Sequence, residues 1–371
     1  MSTIPGVRRL FAAALVAVAL GTTTAAQAAA PATVRNYDLG RVDLPAPGPK
    51  GPLPSRLWGA IGAPQGPGPH PVVLVLHGRH GTGCPIGRFD APTWPCFRRE
   101  QRNDLGLRHV VAGLARRGFV ALAPDLNAAF TDGWGEPDDR RRWPLVVNRT
   151  LAELADEASS GGGRFSIALH GRVNLRRLGL LGHSLSGFHA VRAARRRADN
   201  GSPAKVAAGR GPIRALFLLA PVPSRRAAPD VPFAVAVGTC DGDTGTDGRI
   251  YFDRARQTPA RGAPAFLVTV RRANHNFYNR TLARLSADDA PTGQRRCRRP
   301  QRPSPREQQR WIAAAASDFF AAMIRRARRP VWLRLRARPP SRVHGLDVVV
   351  ERSRGGSEPL VEHELVASGM P

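Results

Sequence analysis

Apolar and polar positions change rhythm repeatedly along this chain, and each change marks an element. The stretch "VRNYDLGRVDLP" alternates as a strand does, and "SRLWGAIGAP" can pair with it as a hairpin across a Pro/Gly-rich turn. "HPVVLVLHG" is instead a continuous apolar run between Pro71 and Gly78, the pattern of a strand covered on both faces. In "LRHVVAGLARRGFVALAPD", Leu107, Val110, Val111 and Leu114 recur at helical spacing, Gly118 stops the helix, and "FVALAP" is a second buried strand. The unit then repeats. A helix over Arg140 to Ala158 carries Trp143, Val147, Leu151 and Leu154 on one stripe, the strand "RLGLLGHS" follows, and Ser186 to Ala198 is again helical. "IRALFLLAP" and "PFAVAVG" are strands, Arg249 to Arg256 a short helix, and "AFLVTV" the final strand of the series. A last helix opens at "SPRE", with Ser304 as cap, Pro305 at the first helical position and Glu307 completing a capping box. Trp311, Ala315, Phe319 and Met323 form its buried stripe.

Strands alternating with helices predict an α/β domain: a mostly parallel twisted sheet covered on both faces, with its active crevice beyond the carboxyl ends of the strands. The 371 residues, 42% hydrophobic, are enough for one large core. That core is expected over residues 29–329. Residues 330–371 form a different tail, in which "VWLRLRA" and "LDVVVE" are two short strand candidates of a β appendage or of a poorly ordered end.

Composition adds a compartment. Arg8 and Arg9, then "LFAAALVAVAL" and "AQA", have the parts of a secretory signal, so residues 1–28 are expected to be removed on export, by the general route or by a twin-arginine one. No later run has the roughly 18 uninterrupted apolar residues of a membrane span, so a soluble mature chain is expected. Export suits disulfides, and with no C-x-x-C spacing the four cysteines are read as structural pairs, Cys84–Cys96 and Cys240–Cys297, with no metal site. The formal charge of +28 is almost wholly arginine and is spread along the chain without interleaved aromatics. This excludes a specific nucleic-acid groove and leaves loose adhesion to an anionic cell envelope. A monomer is expected.

Chemistry concentrates at "GLLGHSLSGFHA", where Ser184 follows a buried strand and precedes a helix. A serine hydroxyl reacts only with a base to take its proton, a group to orient that base, and donors for the oxyanion. Gly182, Ser186 and Gly187 let such a strand-to-helix elbow close, with Ser186 standing where a glycine is usual. The loop "TCDGDTG" after "PFAVAVG" offers Asp241, with Asp243 as the alternative acid, and "RRANHNFYN" after "AFLVTV" offers His275 as base. The backbone N–H groups of Arg79, in "LHGRHG", and of Leu185 are the expected oxyanion donors. His77 shapes that turn, while His80 and His183 serve packing or hydrogen bonding. The acidic runs at Asp138 to Arg142 and Asp288-Asp289 are read as solvated surface.

The order Ser184, Asp241, His275 resembles the α/β-hydrolase superfamily over roughly Tyr37 to Arg328. "LHGRHGTGC", "WPC", "CDGDTG" and "ANHNFYN" look like exported actinobacterial serine esterases and lipases of the dienelactone hydrolase, platelet-activating-factor acetylhydrolase and polyester hydrolase branches. The resemblance implies a Ser-Asp-His ester hydrolase without a cofactor, with Asp241 as the acid. Small-molecule, lipid or polymeric esters are then the expected substrates. The rivals are an envelope acyltransferase using the same triad, a peptidase, and a non-catalytic cationic envelope-binding protein. Phe89, Trp94 and Phe97, on the segment from Gly81 to Arg102, are candidates to shape specificity or to pack the core. The short connection before "PFAVAVG" leaves no room for a helical cap, so an open site is expected.

Overall fold

The structure is a computed structural model and describes residues 31–354 apart from 46–50, 83–93, 97–99, 132–138, 227 and 286–287. The strands are β1 (Ala32–Leu44), β2 (Leu53–Pro64), β3 (His70–Leu76), β4 (Val120–Pro124), β5 (Val173–His183), β6 (Ile213–Leu219), β7 (Phe233–Gly238), β8 (Ala265–Val270), β9 (Arg342–Val343) and β10 (Leu346–Ser353). The helices are α1 (Arg108–Arg116), α2 (Asp139–Ser160), α3 (Leu185–Arg196), α4 (Pro203–Ala207), α5 (Ile250–Arg256), α6 (Arg280–Arg284) and α7 (Pro305–Met323).

All ten strands join one sheet in the order β1-β2-β4-β3-β5-β6-β7-β8-β10-β9. The block from β4 to β8 is parallel, whereas β1 and β2 run antiparallel at one side and β10 and β9 at the other. The continuous apolar run of β3 is explained by its position: Val72, Leu74 and Leu76 enter the core on one face, Val73 and Val75 the core on the other. The first core is closed by α2, α3 and α5, the second by α1 and α7. Trp143, Val147, Leu151 and Leu154 are buried on α2, as their spacing predicts, and Ser304 and Glu307 form the capping box of α7. No helix among the described residues is long and apolar enough to cross a membrane.

The tail is where pattern and structure part. "AFLVTV" is not the last strand, because β10 pairs antiparallel along β8 from Val348↔Val270 to Ser353↔Ala265. Its alternation is functional in the packing sense: Val348 and Val350 are buried and Val349 faces out. "VWLRLRA" is not a strand. A strand would send Trp332 and Leu333 to opposite faces, but both are buried in the same core on a 3₁₀ turn at Val331–Leu333. The Arg352 guanidinium satisfies the carbonyls this leaves, donating to Trp332 O at 3.1 Å, Arg334 O at 2.7 Å and Val331 O at 3.0 Å.

The Cys240–Cys297 disulfide, with Cα atoms 5.4 Å apart, ties the loop after β7 to the segment before α7 across 57 residues. The Cys84–Cys96 pairing lies outside the described residues, as do Phe89, Phe97 and the leader 1–28. Closing a loop of this length restricts the unfolded chain by on the order of 4 kcal/mol. The Cys240→Ala/Cys297→Ala double variant is therefore expected to lose about that much stability in urea unfolding. A loss below about 1 kcal/mol would show that the surrounding hydrogen bonds hold these loops unaided.

Candidate active site

Ser184 sits at the turn from β5 into α3 with φ 55° and ψ −126°, a conformation that favours glycine. Its backbone is pinned from several sides: Ser184 N–H donates to Leu219 O at 2.9 Å, and Ser184 O accepts from Gly187 N–H at 2.9 Å and Val222 N–H at 3.2 Å. The elbow closes so tightly that a Cβ on Gly182 would stand 2.4 Å from Ser186 O. Ser186 does more than fit where a glycine is usual. Its hydroxyl donates to His77 O at 2.5 Å and accepts from Trp143 Nε1 at 3.0 Å, joining the elbow to the end of β3 and to α2.

The turn after β3 lies directly against the serine, since a Cβ on Gly78 would meet Ser184 Cβ at 2.6 Å. His77 is held in one neutral tautomer, its Nε2 accepting from Leu126 N–H and its Nδ1–H donating to Gly78 O, each at 2.8 Å. Burial pushes its pKa down to about 4, so it shapes this turn without exchanging protons near neutrality. Arg79 follows on the turn, exposed, and Leu185 opens α3. Beneath the turn, Asn103 Nδ2 donates to Gly81 O at 3.3 Å and to Asn127 Oδ1 at 2.9 Å. Asn127 in turn donates to buried Glu100 at 2.9 Å. Burial and neighbouring acids push Glu100 up to about 6 and Asp125 well up, so the pair is favoured with fewer than two negative charges.

His275 and Asp241 meet: Nδ1 of the imidazole donates to Asp241 Oδ2 at 2.8 Å, and both side chains are fully buried. The other oxygen, Asp241 Oδ1, accepts the backbone N–H groups of Asp243, Thr244 and Gly245 at 2.9, 2.8 and 3.1 Å. Burial alone would raise the Asp241 carboxyl, but the His275 bond and these amides hold it below its ordinary value. Burial alone would lower His275, yet the bond and charge of Asp241, with Asp243 and Asp289 nearby, lift it above the ordinary imidazole value. His275 Nε2 is buried and has no hydrogen-bond partner among the described residues, while Asp243 Oδ2 stands 3.3 Å from it. The two acid candidates thus take opposite sides of one ring, Asp241 on Nδ1 and the exposed Asp243 toward Nε2.

Ser184 Oγ and His275 Nε2 make no hydrogen bond with each other. The ring of His275 ends a column of imidazoles, His80 to His183 at 5.5 Å and His183 to His275 at 4.7 Å. His183 Nε2 donates to His275 O at 3.2 Å, and burial keeps both His80 and His183 well below the ordinary imidazole value. The serine is 4% exposed, and the Gly78 turn packs against its Cβ. Trp94 donates from Nε1 to Pro54 O at 2.7 Å and packs on the sheet, a core role.

Several residues that hold this site carry no sequence signal of their own. Asp288 and Asp289, read as solvated, are bonded. Asp289 accepts Gly242 N–H at 2.9 Å, His275 N–H at 3.3 Å and Asn276 N–H at 3.1 Å, so one carboxylate fastens the acid loop to the base loop. Asp288 accepts from Arg302 at 2.6 and 2.5 Å and from Asn274 Nδ2 at 3.0 Å. Asn274, fully buried before the base, also accepts Asn276 N–H and Phe277 N–H and is anchored to α7 through Gln308. Within the other run, Arg142 is 3% exposed and donates to Ala129 O and Thr131 O, so it is a buried brace and not a solvated helix start. Among the described residues no group of three or more His, Cys, Asp or Glu side chains converges as a metal site. No known protein-family model and no curated protein matches the sequence.

Proposed function

We propose that this protein is an exported serine hydrolase of carboxylic esters with the α/β-hydrolase architecture. The observation that carries the reading is the buried Asp241–His275 bond of 2.8 Å, which leaves Nε2 as the basic nitrogen, together with a serine held at φ 55° on the turn from β5 into α3. The order of serine, acid and base after β5, β7 and β8 of a mostly parallel sheet supports it.

In this reading the Ser184 hydroxyl attacks the ester carbonyl and its proton passes to His275 Nε2, with Asp241 stabilising the imidazolium. This transfer requires Asp243, 58% exposed, to turn away from Nε2. The N–H groups of Leu185 and Arg79 receive the oxyanion. Collapse breaks the C–O bond to the alcohol, which leaves with the proton from His275. Water, deprotonated by the same nitrogen, then cleaves the acyl-enzyme to release the acid and restore Ser184.

The test is a panel of p-nitrophenyl esters of graded acyl length, run with the wild-type chain and Ser184→Ala, alongside labelling with a fluorophosphonate. Turnover of at least one ester and labelling of the wild type only are expected. Flat inactivity without labelling would overturn the reading.

A further inference from the structure

After α7 the chain concentrates positive charge. From 319 to 346 it holds eight arginines and no Asp or Glu. What this segment buries fixes its shape: Trp332 packs 6.4 Å from Phe266, Leu333 enters the same core, and Arg352 draws in the carbonyls of Val331, Trp332 and Arg334. Arg334 Nε donates to Arg329 O at 2.9 Å, which brings the two halves of the run together. With these carbonyls turned inward, the charged side chains face water, and Arg326, Arg328, Arg329, Arg336 and Arg338 are all exposed.

Two of the eight arginines are occupied, since Arg342 stands 3.9 Å from Asp347 and Arg325 donates to Arg117 O. The other six have no ion pair among the described residues. Like charges held on one short segment repel, and an anionic surface relieves that repulsion for all of them at once. Val331 lies in the middle of the run and is 43% exposed, one of two large apolar side chains so exposed among the described residues. An apolar tip ringed by guanidinium groups suits a lipid head-group region, where each arginine near the surface adds attraction and the valine leaves water. Stacking on nucleic-acid bases has no partner in this segment, because Trp332 is 3% exposed.

We propose that residues 325–338 form a docking surface for a bilayer rich in anionic phospholipids, with Val331 in the head-group region and the arginines around it on the phosphates. The sheet sets the orientation. Arg352 pairs with Phe266 at the amino end of β8, whereas Ser184, Asp241 and His275 follow the carboxyl ends of β5, β7 and β8. A membrane held by these arginines therefore lies at the opposite end of the strands from the candidate active site. The contact keeps the protein at the surface without presenting Ser184 to the bilayer. It does not rest on the catalytic reading.

The test is co-sedimentation of the exported chain with vesicles of phosphatidylglycerol mixed with phosphatidylcholine, and of phosphatidylcholine alone. Binding at least tenfold tighter to the anionic vesicles is expected, weakening as salt rises. Arg328→Gln/Arg329→Gln/Arg336→Gln is expected to weaken it at least tenfold. Arg295→Gln/Arg296→Gln/Arg298→Gln removes equal charge from exposed arginines beside the Cys240–Cys297 disulfide, and is expected to change it less than threefold. Val331→Ser is expected to weaken vesicle binding at least threefold while leaving the binding of soluble polyphosphate unchanged. In the wild-type chain, hydrogen exchange across 325–338 is expected to slow on the vesicles, a readout that needs no variant to fold. Equal weakening by the two triple variants would show that net charge alone acts and would overturn the proposal. Equal binding to phosphatidylcholine, no protection across 325–338, or vesicle binding indifferent to Val331→Ser, which would assign the arginines to a soluble anionic polymer, would overturn it too.

Discussion

Ser184→Ala is expected to reduce ester turnover by several orders of magnitude, roughly 10⁴-fold or more, because no other group can form the acyl-enzyme. Ser184→Gly is expected to do the same and, in addition, to make the protein more stable. The side chain is held at φ 55°, ψ −126°, where a Cβ is strained by of order 1–3 kcal/mol, and glycine escapes that cost. Glycine also frees the unfolded chain, which returns part of the gain. Comparing Ser184→Gly with Ser184→Ala in urea unfolding isolates the backbone term, since neither carries the hydroxyl. A Gly variant at least about 1 kcal/mol more stable than the Ala variant is the expected outcome. Equal midpoints would mean that the elbow is unstrained and that its geometry is not kept for the exposure of a nucleophile.

Asp241→Asn is expected to lower kcat by about 10⁴-fold, because an amide in place of the carboxylate can hold the imidazole in the wrong tautomer and cannot stabilise its cation. The direction of the pH dependence follows from the same pair. His275 must be neutral to accept a proton, and its pKa lies above the ordinary imidazole value, so turnover falls as the pH drops through that raised value. Asp243→Asn removes one of the charges that lift His275, so the acid limb is expected to move to lower pH with the plateau rate kept or increased. An acid limb that stays in place or moves upward would remove Asp243 from contact with the working base. Stability has the complementary dependence. Through His275, whose folded pKa is raised, the pair's contribution is complete below the ordinary imidazole value and is lost as pH rises past the folded one. Through Asp241, whose folded pKa is lowered, it is present above the ordinary carboxyl value and lost as pH falls through the depressed one. Unfolding free energies measured across pH would show a plateau between those two limits.

The two acids of the loop after β7 show where local reading stops. Asp241 and Asp243 are two residues apart, equally polar and both able to reach one imidazole, and periodicity cannot separate them. The loop's own hydrogen bonds do: Asp241 turns inward to accept three consecutive amides, while Gly242 N–H is taken by Asp289 from a segment far along the chain. Asp289 itself looked like a solvated charge because nothing near it in sequence reveals that the loops of Asp241 and His275 converge on it. "VWLRLRA" failed for a related reason. Its alternation is real, but the carbonyls it would have paired in a sheet are claimed by Arg352.

What the order of residues settled unaided was most of the elements before residue 330 and the succession of candidate groups. Apolar runs and helical stripes are forced by the need to bury one face or two, and that need is local enough to be written in windows of ten or so positions. The elbow at Ser184, the capping box of α7 and the succession of serine, acid and base are of this kind. Only the folded arrangement decided which aspartate holds the imidazole and that β10 extends the sheet beyond β8. Each of these depends on atoms from segments distant in the chain being brought within a few ångströms, and the energy of such contacts is set by packing and hydrogen-bond geometry, to which periodicity along the chain is blind.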